Sequence, residues 1–212
     1  FQPLSTVINN VSNTLNLEEY LSSLESGSAK RNIKKALKYM EDNGIVFEVR
    51  DKLSSEEIAS AYSLFEAVSS NSKFVGRTLS YYQKLQETLS DKTIWYTMKK
   101  DNEFVLVNLA IKDISTKSSN DLYVGKKMEL EEGAISYALK YLSFKYLAQN
   151  GYTYYDHWGV YLDPKSPKYG FSEFKMKFGG KLINFFPIFA YSKYIPTSLL
   201  NIFLKIFIHV SF

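Results

Sequence analysis

The chain has 212 residues, 45% of them hydrophobic, 16% aromatic and 23% charged, enough apolar material for one substantial core or two small ones, which excludes a disordered polypeptide. The absence of cysteine excludes disulfides, cysteine-based zinc sites and thiol catalysis, and with only His157 and His209 a histidine-rich metal site is not expected. A net charge of +4 suits a phosphate-bearing partner but carries little weight until the lysines are placed.

The chain opens at Phe1 with no methionine, basic leader or cleavable apolar stretch, so it is expected to begin inside a longer protein and to show no signal peptide. Thr6 to Val11 reads as a strand and Leu17 to Leu24 as a short helix. Ser28 is the expected N-cap of a helix running to Asp42, with Asn43-Gly44 as its stop. In that helix Ile33, Ala36, Leu37 and Met40 keep the spacing of one buried stripe, while Arg31, Lys34, Lys35 and Lys38 gather on the opposite arc as a basic ridge. Such a ridge neutralises successive phosphates without reading bases, and it is equally what a solvated helix face looks like.

Ile45 to Val49 alternates as a strand. Ser54-Ser55-Glu56-Glu57 opens a helix to about Ser69, and a second helix spans Leu79 to Leu89. Ile94 to Met98, Phe104 to Ile111 and Asp121 to Val124 are β-rich, with the first two joined by a hairpin at Lys99-Lys100-Asp101-Asn102. A long helix is predicted from Glu131 to Gln149, with Ala134, Ile135, Ala138, Leu139, Leu142 and Tyr146 on its apolar stripe, and Asn150-Gly151 ends it. Tyr152 to Tyr155 returns to strand, and a short helix through Phe171 to Phe178 stops at Gly179-Gly180 before a last strand. Three consecutive strands followed by a strand–helix–strand crossover imply an α/β (α+β) fold with a mixed central sheet flanked by helices.

From Ile183 onward the chain is strongly apolar, but Pro187, Lys193 and Pro196 interrupt the run, leaving less than the roughly 20 residues needed to span a bilayer. Residues 1–190 are read as one domain and 191–212 as an apolar helical segment. In that segment Asn201, Lys205 and His209 form a narrow polar wedge, so it is expected either to lie in a membrane surface or to pack against protein.

Several segments recur in a recognisable order: Lys30-Arg31-Asn32-Ile33-Lys34-Lys35-Ala36, then Gly44 to Val49, then Arg77 ahead of Tyr81-Tyr82. Gly151-Tyr152-Thr153-Tyr154-Tyr155-Asp156-His157-Trp158-Gly159-Val160 and Gly170 to Gly180 close the series. Together they resemble the FemABX family, non-ribosomal peptidyltransferases that use aminoacyl-tRNA to extend the peptidoglycan stem peptide and are built on two acetyltransferase-like (GNAT) domains. The resemblance covers Gln2 to Gly180. It implies a GNAT-like fold, aminoacyl-tRNA as donor, a lipid-linked or nucleotide-linked muropeptide as acceptor and no metal or redox cofactor. It also implies work in the cytoplasm at the inner face of the membrane, and a missing N-terminal domain as partner. Arg31, Lys34 and Lys35 would hold the polyanion, and Arg77, Tyr81 and Tyr82 a sugar or peptide.

Phe171, Phe174 and Phe178 share a helix face, and Lys175 projects near its edge while Lys177 points further toward solvent. A lysine beside aromatic surface is partly desolvated, so it is either a strong oxyanion or phosphate partner, a lysine of lowered pKa, or a stem that snorkels over the phenylalanines. Lys175 is assigned to the developing oxyanion. Asp156, at a strand end, either receives the incoming amine or caps the following turn; His157 is not taken as the base. A coenzyme A-dependent GNAT would carry a glycine-rich, amide-lined turn where this chain has Glu129-Leu130-Glu131-Glu132-Gly133, whose carboxylates repel a pyrophosphate. The alternatives are a GNAT N-acyltransferase using an acyl-CoA or acyl-carrier donor, and a non-catalytic half-domain that binds a partner or a membrane.

Overall fold

The protein is described by a computed structural model over residues 5–72, 75–127 and 134–185. The element order is β1 (Ser5–Asn10), α1 (Leu17–Ser23), α2 (Gly27–Asp42), β2 (Val46–Arg50), α3 (Ser55–Ser72) and α4 (Leu79–Leu89). A 3-10 turn (Ser90–Lys92) follows, then β3 (Thr93–Lys100), β4 (Glu103–Asp113), β5 (Ser118–Lys126), α5 (Ala134–Gln149), β6 (Tyr154–Val160), α6 (Tyr169–Met176) and β7 (Lys181–Asn184). The acid-rich turn and the apolar C-terminal helix expected from the sequence lie outside the described residues. Among the described residues no helix is long and apolar enough to cross a membrane.

Helix α2 starts two residues earlier than its spacing suggests. Ser26, not Ser28, is the N-cap, its hydroxyl accepting from the Ala29 amide at 3.2 Å, while Ser28 shares a 3.0 Å hydrogen bond with that same hydroxyl. The helix ends where Gly44 takes a positive φ of 63° and lets the Ile45 amide reach back to Met40 O at 2.9 Å. Ile33, Ala36 and Met40 are buried, and Arg31, Lys34, Lys35 and Lys38 are all exposed, so the ridge is real as geometry. Lys34 pairs with Glu18 of α1 at 2.9 Å.

Among the described residues seven strands form one sheet in the order β2-β3-β4-β5-β6-β1-β7, in which only β5 and β6 run parallel. The β3–β4 hairpin turns at Asp101 and Asn102, both at positive φ (51° and 65°), the backbone that an Asp or Asn tolerates best after glycine. Alternation along β3 sends Ile94, Tyr96 and Met98 into a core shared with α1, α2 and α5, and Trp95 into a second core under α3 and α4. A Cβ on Gly125 would come within 2.7 Å of the Leu64 and Phe65 backbone, so α3 rests directly on β5.

Two expectations change. Strand β6 runs on to Val160 rather than ending near Tyr155, because a bulge absorbs the turn-like residues: Thr6 pairs Gly159 and Ile8 pairs Asp156, so Val7 faces both His157 and Trp158. Helix α5 is buried nearly all round rather than along one stripe, since it lies between α2 and the sheet; Tyr137, Lys140, Tyr141, Ser143 and Phe144 are all buried with the predicted Ile135, Ala138 and Leu139.

Candidate functional site

Parallel strands β5 and β6 pair only at Ser118↔Tyr154, Ser119↔Tyr155 and Asn120↔Asp156. Beyond that, among the described residues, β5 from Asp121 onward pairs with β4 alone, and β6 from His157 onward with β1 alone. The carboxyl ends of two parallel neighbours therefore part, the place where open α/β sheets bind ligands.

Under this split on the α5 side lies a buried polar knot. Lys140 of α5 pairs with Asp121, donates to Tyr155 Oη at 2.6 Å and lies 3.5 Å from Asn108 Oδ1. Asn108 Nδ2 donates to Asp121, and Tyr155 Oη to Asn108 Oδ1 at 3.2 Å. Burial lowers the Lys140 pKa and Asp121 opposes that shift; burial, then Asp121, pushes the Tyr155 hydroxyl well above its usual 10.0. Sequence reading missed this group because Lys140 falls on no polar arc that marks it as special.

Lys175 comes from α6; Phe174 of that helix and Phe178, two residues past its end, pack on Tyr137 at ring separations of 5.0 and 5.4 Å, whereas Phe171, expected on the same face, is exposed. Its ammonium does not snorkel: it donates to Gly159 O at 2.9 Å, and among the described residues no carboxylate lies within ion-pair distance of it. Among the described residues one of its three donors is thereby engaged, leaving two for a ligand. Burial lowers its pKa to about 8; Asp121 and Asp156 oppose the shift and Lys140 adds to it. Lys177, as expected, turns outward to Glu173 at 2.9 Å.

His157 is buried within the electrostatic reach of both cations. Its Nε2 lies 2.9 Å from Asn9 Oδ1, and Asn9 donates its own amide to Phe178 O at 2.6 Å, which assigns the proton to Nε2 and leaves Nδ1 bare. That nitrogen is buried without a partner among the described residues. Burial, then the Lys140 and Lys175 charges, hold the imidazole neutral, its pKa well below 6.5. Two ammonium groups against one buried carboxylate make the α5 side of the split a place for negative charge.

Asp156 lines a cleft of about 650 Å³ on the opposite sheet face, together with Asn10, Thr116, Ser118, Asn120 and Tyr154. One carboxylate oxygen accepts from Thr6 Oγ1 and from the Trp158 amide at 2.8 Å, so Asp156 does cap the bulge, and the cleft lies before it as well. Trp158 sits at φ 61°, a left-handed conformation costing a bulky residue roughly 1–3 kcal/mol.

Arg77, Tyr81 and Tyr82 gather on α4 and the turn before it. The Arg77 guanidinium lies 5.3 Å over the Tyr81 ring, and Tyr81 Oη is 3.0 Å from the hydroxyl of Tyr123. Tyr123, on the part of β5 beyond the split, was not singled out from the sequence, because only the fold brings it to α4. Burial first, then Tyr81, raises its pKa to about 12. Tyr82 is buried against Phe65 and Tyr123 at 4.7 and 5.1 Å, so its ring builds the wall, whereas Tyr81 is half-exposed. A 300 Å³ cleft beside them is lined by Tyr62, Glu66, Ser69, Arg77 and Tyr82 among others. Helices α2 and α4 lie on opposite faces of the sheet. The basic ridge and the Arg77–Tyr81 group are thus not brought together, and the split lies between the two layers.

No family model and no curated protein matches the chain. Solved structures do. FemX is 17% identical with a TM-score of 0.72, over 87% of this chain and 60% of its own. L-PGS from Bacillus licheniformis is 18% identical with a TM-score of 0.62, over 96% of this chain and 64% of its own. The C-terminal domain (DUF2156) of a proposed lysylphosphatidylglycerol synthetase from Agrobacterium fabrum is 14% identical with a TM-score of 0.54, over 86% of this chain and 58% of its own. The chain thus spans less than two thirds of the length of these structures. At such identities the likeness is one of fold, and the fold of this chain is like that of FemX, a mixed sheet flanked by helices.

Proposed function

We propose that the chain is the transferring domain of an aminoacyltransferase that moves an amino acid from aminoacyl-tRNA to an amine of a lipid-linked or nucleotide-linked muropeptide, at the inner face of the membrane. The observation that carries this reading is Lys175: a half-buried ammonium at the open end of a parallel strand pair, anchored to a carbonyl, with two donors unspent among the described residues. The acceptor amine attacks the ester carbonyl, a C–N bond forms, the bond to the ribose oxygen breaks, and the proton lost by the amine ends on that oxygen. Lys175 meets the negative charge that develops on the carbonyl oxygen. Asp156 accepts a hydrogen bond from the incoming amine, and Arg77 and Tyr81, joined by Tyr123, hold the sugar or peptide of the acceptor. The exposed Arg31, Lys34 and Lys35 hold the RNA phosphates. The basic ridge and the Arg77–Tyr81 group stand on opposite faces of the sheet with the split between them, which supports this division. One fold neighbour is named for lysylphosphatidylglycerol, a lysyl ester, which fits the same chemistry.

A donor-exchange assay tests the reading. With a nucleotide-linked muropeptide as acceptor, label is expected to pass from a radiolabelled aminoacyl-tRNA and not from acetyl-CoA; acetyl transfer without aminoacyl transfer would replace this reading with the coenzyme A alternative.

Reversing the charge of Arg31, Lys34 and Lys35 together is expected to weaken tRNA binding at least tenfold at low salt and to flatten its salt dependence. Melting temperature should stay within a few degrees of wild type, because all three side chains are exposed opposite the buried stripe. Unchanged binding in a filter or anisotropy assay would reduce the ridge to a solvated face.

A further inference from the structure

Trp158 occupies a position that folding alone would give to glycine. Its backbone is left-handed at φ 61°, inside the β6 bulge, and is held there from both sides: its amide donates to Asp156 at 2.8 Å and its carbonyl accepts from Thr6 Oγ1 at 2.8 Å. Yet the position carries the largest side chain available and leaves it 50% exposed, so core packing does not explain the choice. The next residue, Gly159, supplies the carbonyl that anchors Lys175. The indole is therefore rooted one residue from the anchor of the ammonium and two from the cleft-lining Asp156. Downstream, aromatic and basic groups alternate: the Lys168 ammonium lies 5.0 Å over the Tyr161 ring, and Phe171 is 47% exposed. Rigid aromatic faces interleaved with lysines are how proteins hold single-stranded nucleic acid, one base per ring.

We infer that Trp158 is a stacking platform for a nucleobase at the single-stranded 3′ end of the donor RNA, setting the ester beside Lys175. This rests on the donor being an aminoacyl-tRNA and adds where its end is held. The bulge makes the platform: it detaches Trp158 from the regular pleat and is locked by Asp156 and Thr6, so the ring is presented without the entropy of a mobile loop.

The protein carries its own reporter. Its two tryptophans are Trp95, fully buried, and Trp158, so quenching by iodide or by a stacked base reads Trp158. Titration of the full chain with an uncharged RNA hairpin ending in a single-stranded CCA is expected to quench Trp158 and protect it from iodide. Trp158→Gly relaxes the backbone and so keeps the fold; it is expected to bind the hairpin roughly ten- to a hundredfold more weakly, with Trp158→Tyr retaining most of the affinity. RNA binding seen by anisotropy with no change at Trp158, or full affinity in Trp158→Gly, would overturn the platform and leave the RNA donor standing. Absence of RNA binding at any salt would overturn both. A blue shift of Trp158 on phosphatidylglycerol vesicles but not on RNA would assign the ring to a membrane surface and also overturn the inference.

Discussion

Replacing Lys175 with alanine is expected to slow transfer by two to three orders of magnitude and leave the fold intact. The size follows from the cost of removing one donor to an oxyanion in a site shielded from water, roughly a hundred- to a thousandfold. The fold survives because Phe174 and Phe178 supply the packing, while the ammonium gives only one bond, to Gly159 O, in return for its own burial. Lys175→Arg should recover little, since a planar guanidinium cannot place its charge at the same point. The pH dependence has a definite sign. With a pKa of about 8 the charge is present below that pH and lost above it, so the lysine-dependent part of the rate should fall as pH rises through 8. Stability moves the other way: the folded value lies below the usual 10.5, so the unfolded chain binds more protons between these values and stability rises across that window. Rates from pH 6 to 10, with melting temperatures alongside, separate the two; an alanine variant of undiminished rate removes Lys175 from the chemistry.

The second large effect is expected at the buried knot. Lys140→Met leaves the Asp121 carboxylate buried without its cation, and breaking such a pair from one side costs about 3–5 kcal/mol. For a chain of this length that is a fall in melting temperature of roughly 10 °C. The double variant Lys140→Met with Asp121→Asn should recover most of the loss, because the amide can still face Asn108 and no charge is stranded. Urea unfolding of both variants checks this, and equal losses would show that packing around the stem, rather than the pair, matters. Losing Lys140 also removes one of the influences that depress the Lys175 pKa, so the alkaline fall of the rate should move to higher pH in the single variant.

Much of this arrangement is legible before folding is considered, and the boundary has a physical character. Helix α2, with its buried Ile33–Met40 stripe and exposed ridge, follows from periodicity; the Asp101-Asn102 hairpin follows from turn chemistry; Lys175 beside two phenylalanines follows from one helical wheel. The first two are set by neighbours three or four residues apart or by alternation along one strand, which the order of residues determined; of the three phenylalanines on the Lys175 wheel, Phe174 packs from within α6, Phe178 from beyond its end, and Phe171 is exposed. The cap of α2 shows the margin of such reading: two serines two residues apart both suit the role, and Ser26 takes it.

What the tertiary structure alone decided is where those parts meet. The split exists because β5 and β6 pair over three residues and then part, a matter of strand order and register. Lys140 meets Asp121 because α5 crosses back over the sheet, and Tyr81 meets Tyr123 across 42 residues. Trp158, in a motif that reads as an ordinary strand end, acquires its left-handed backbone only when β1 pairs across it with one residue fewer. The reason is common to all of them. Side-chain periodicity specifies which face an element buries, but which charges and rings share the space between elements is set by long-range pairing that no local pattern encodes.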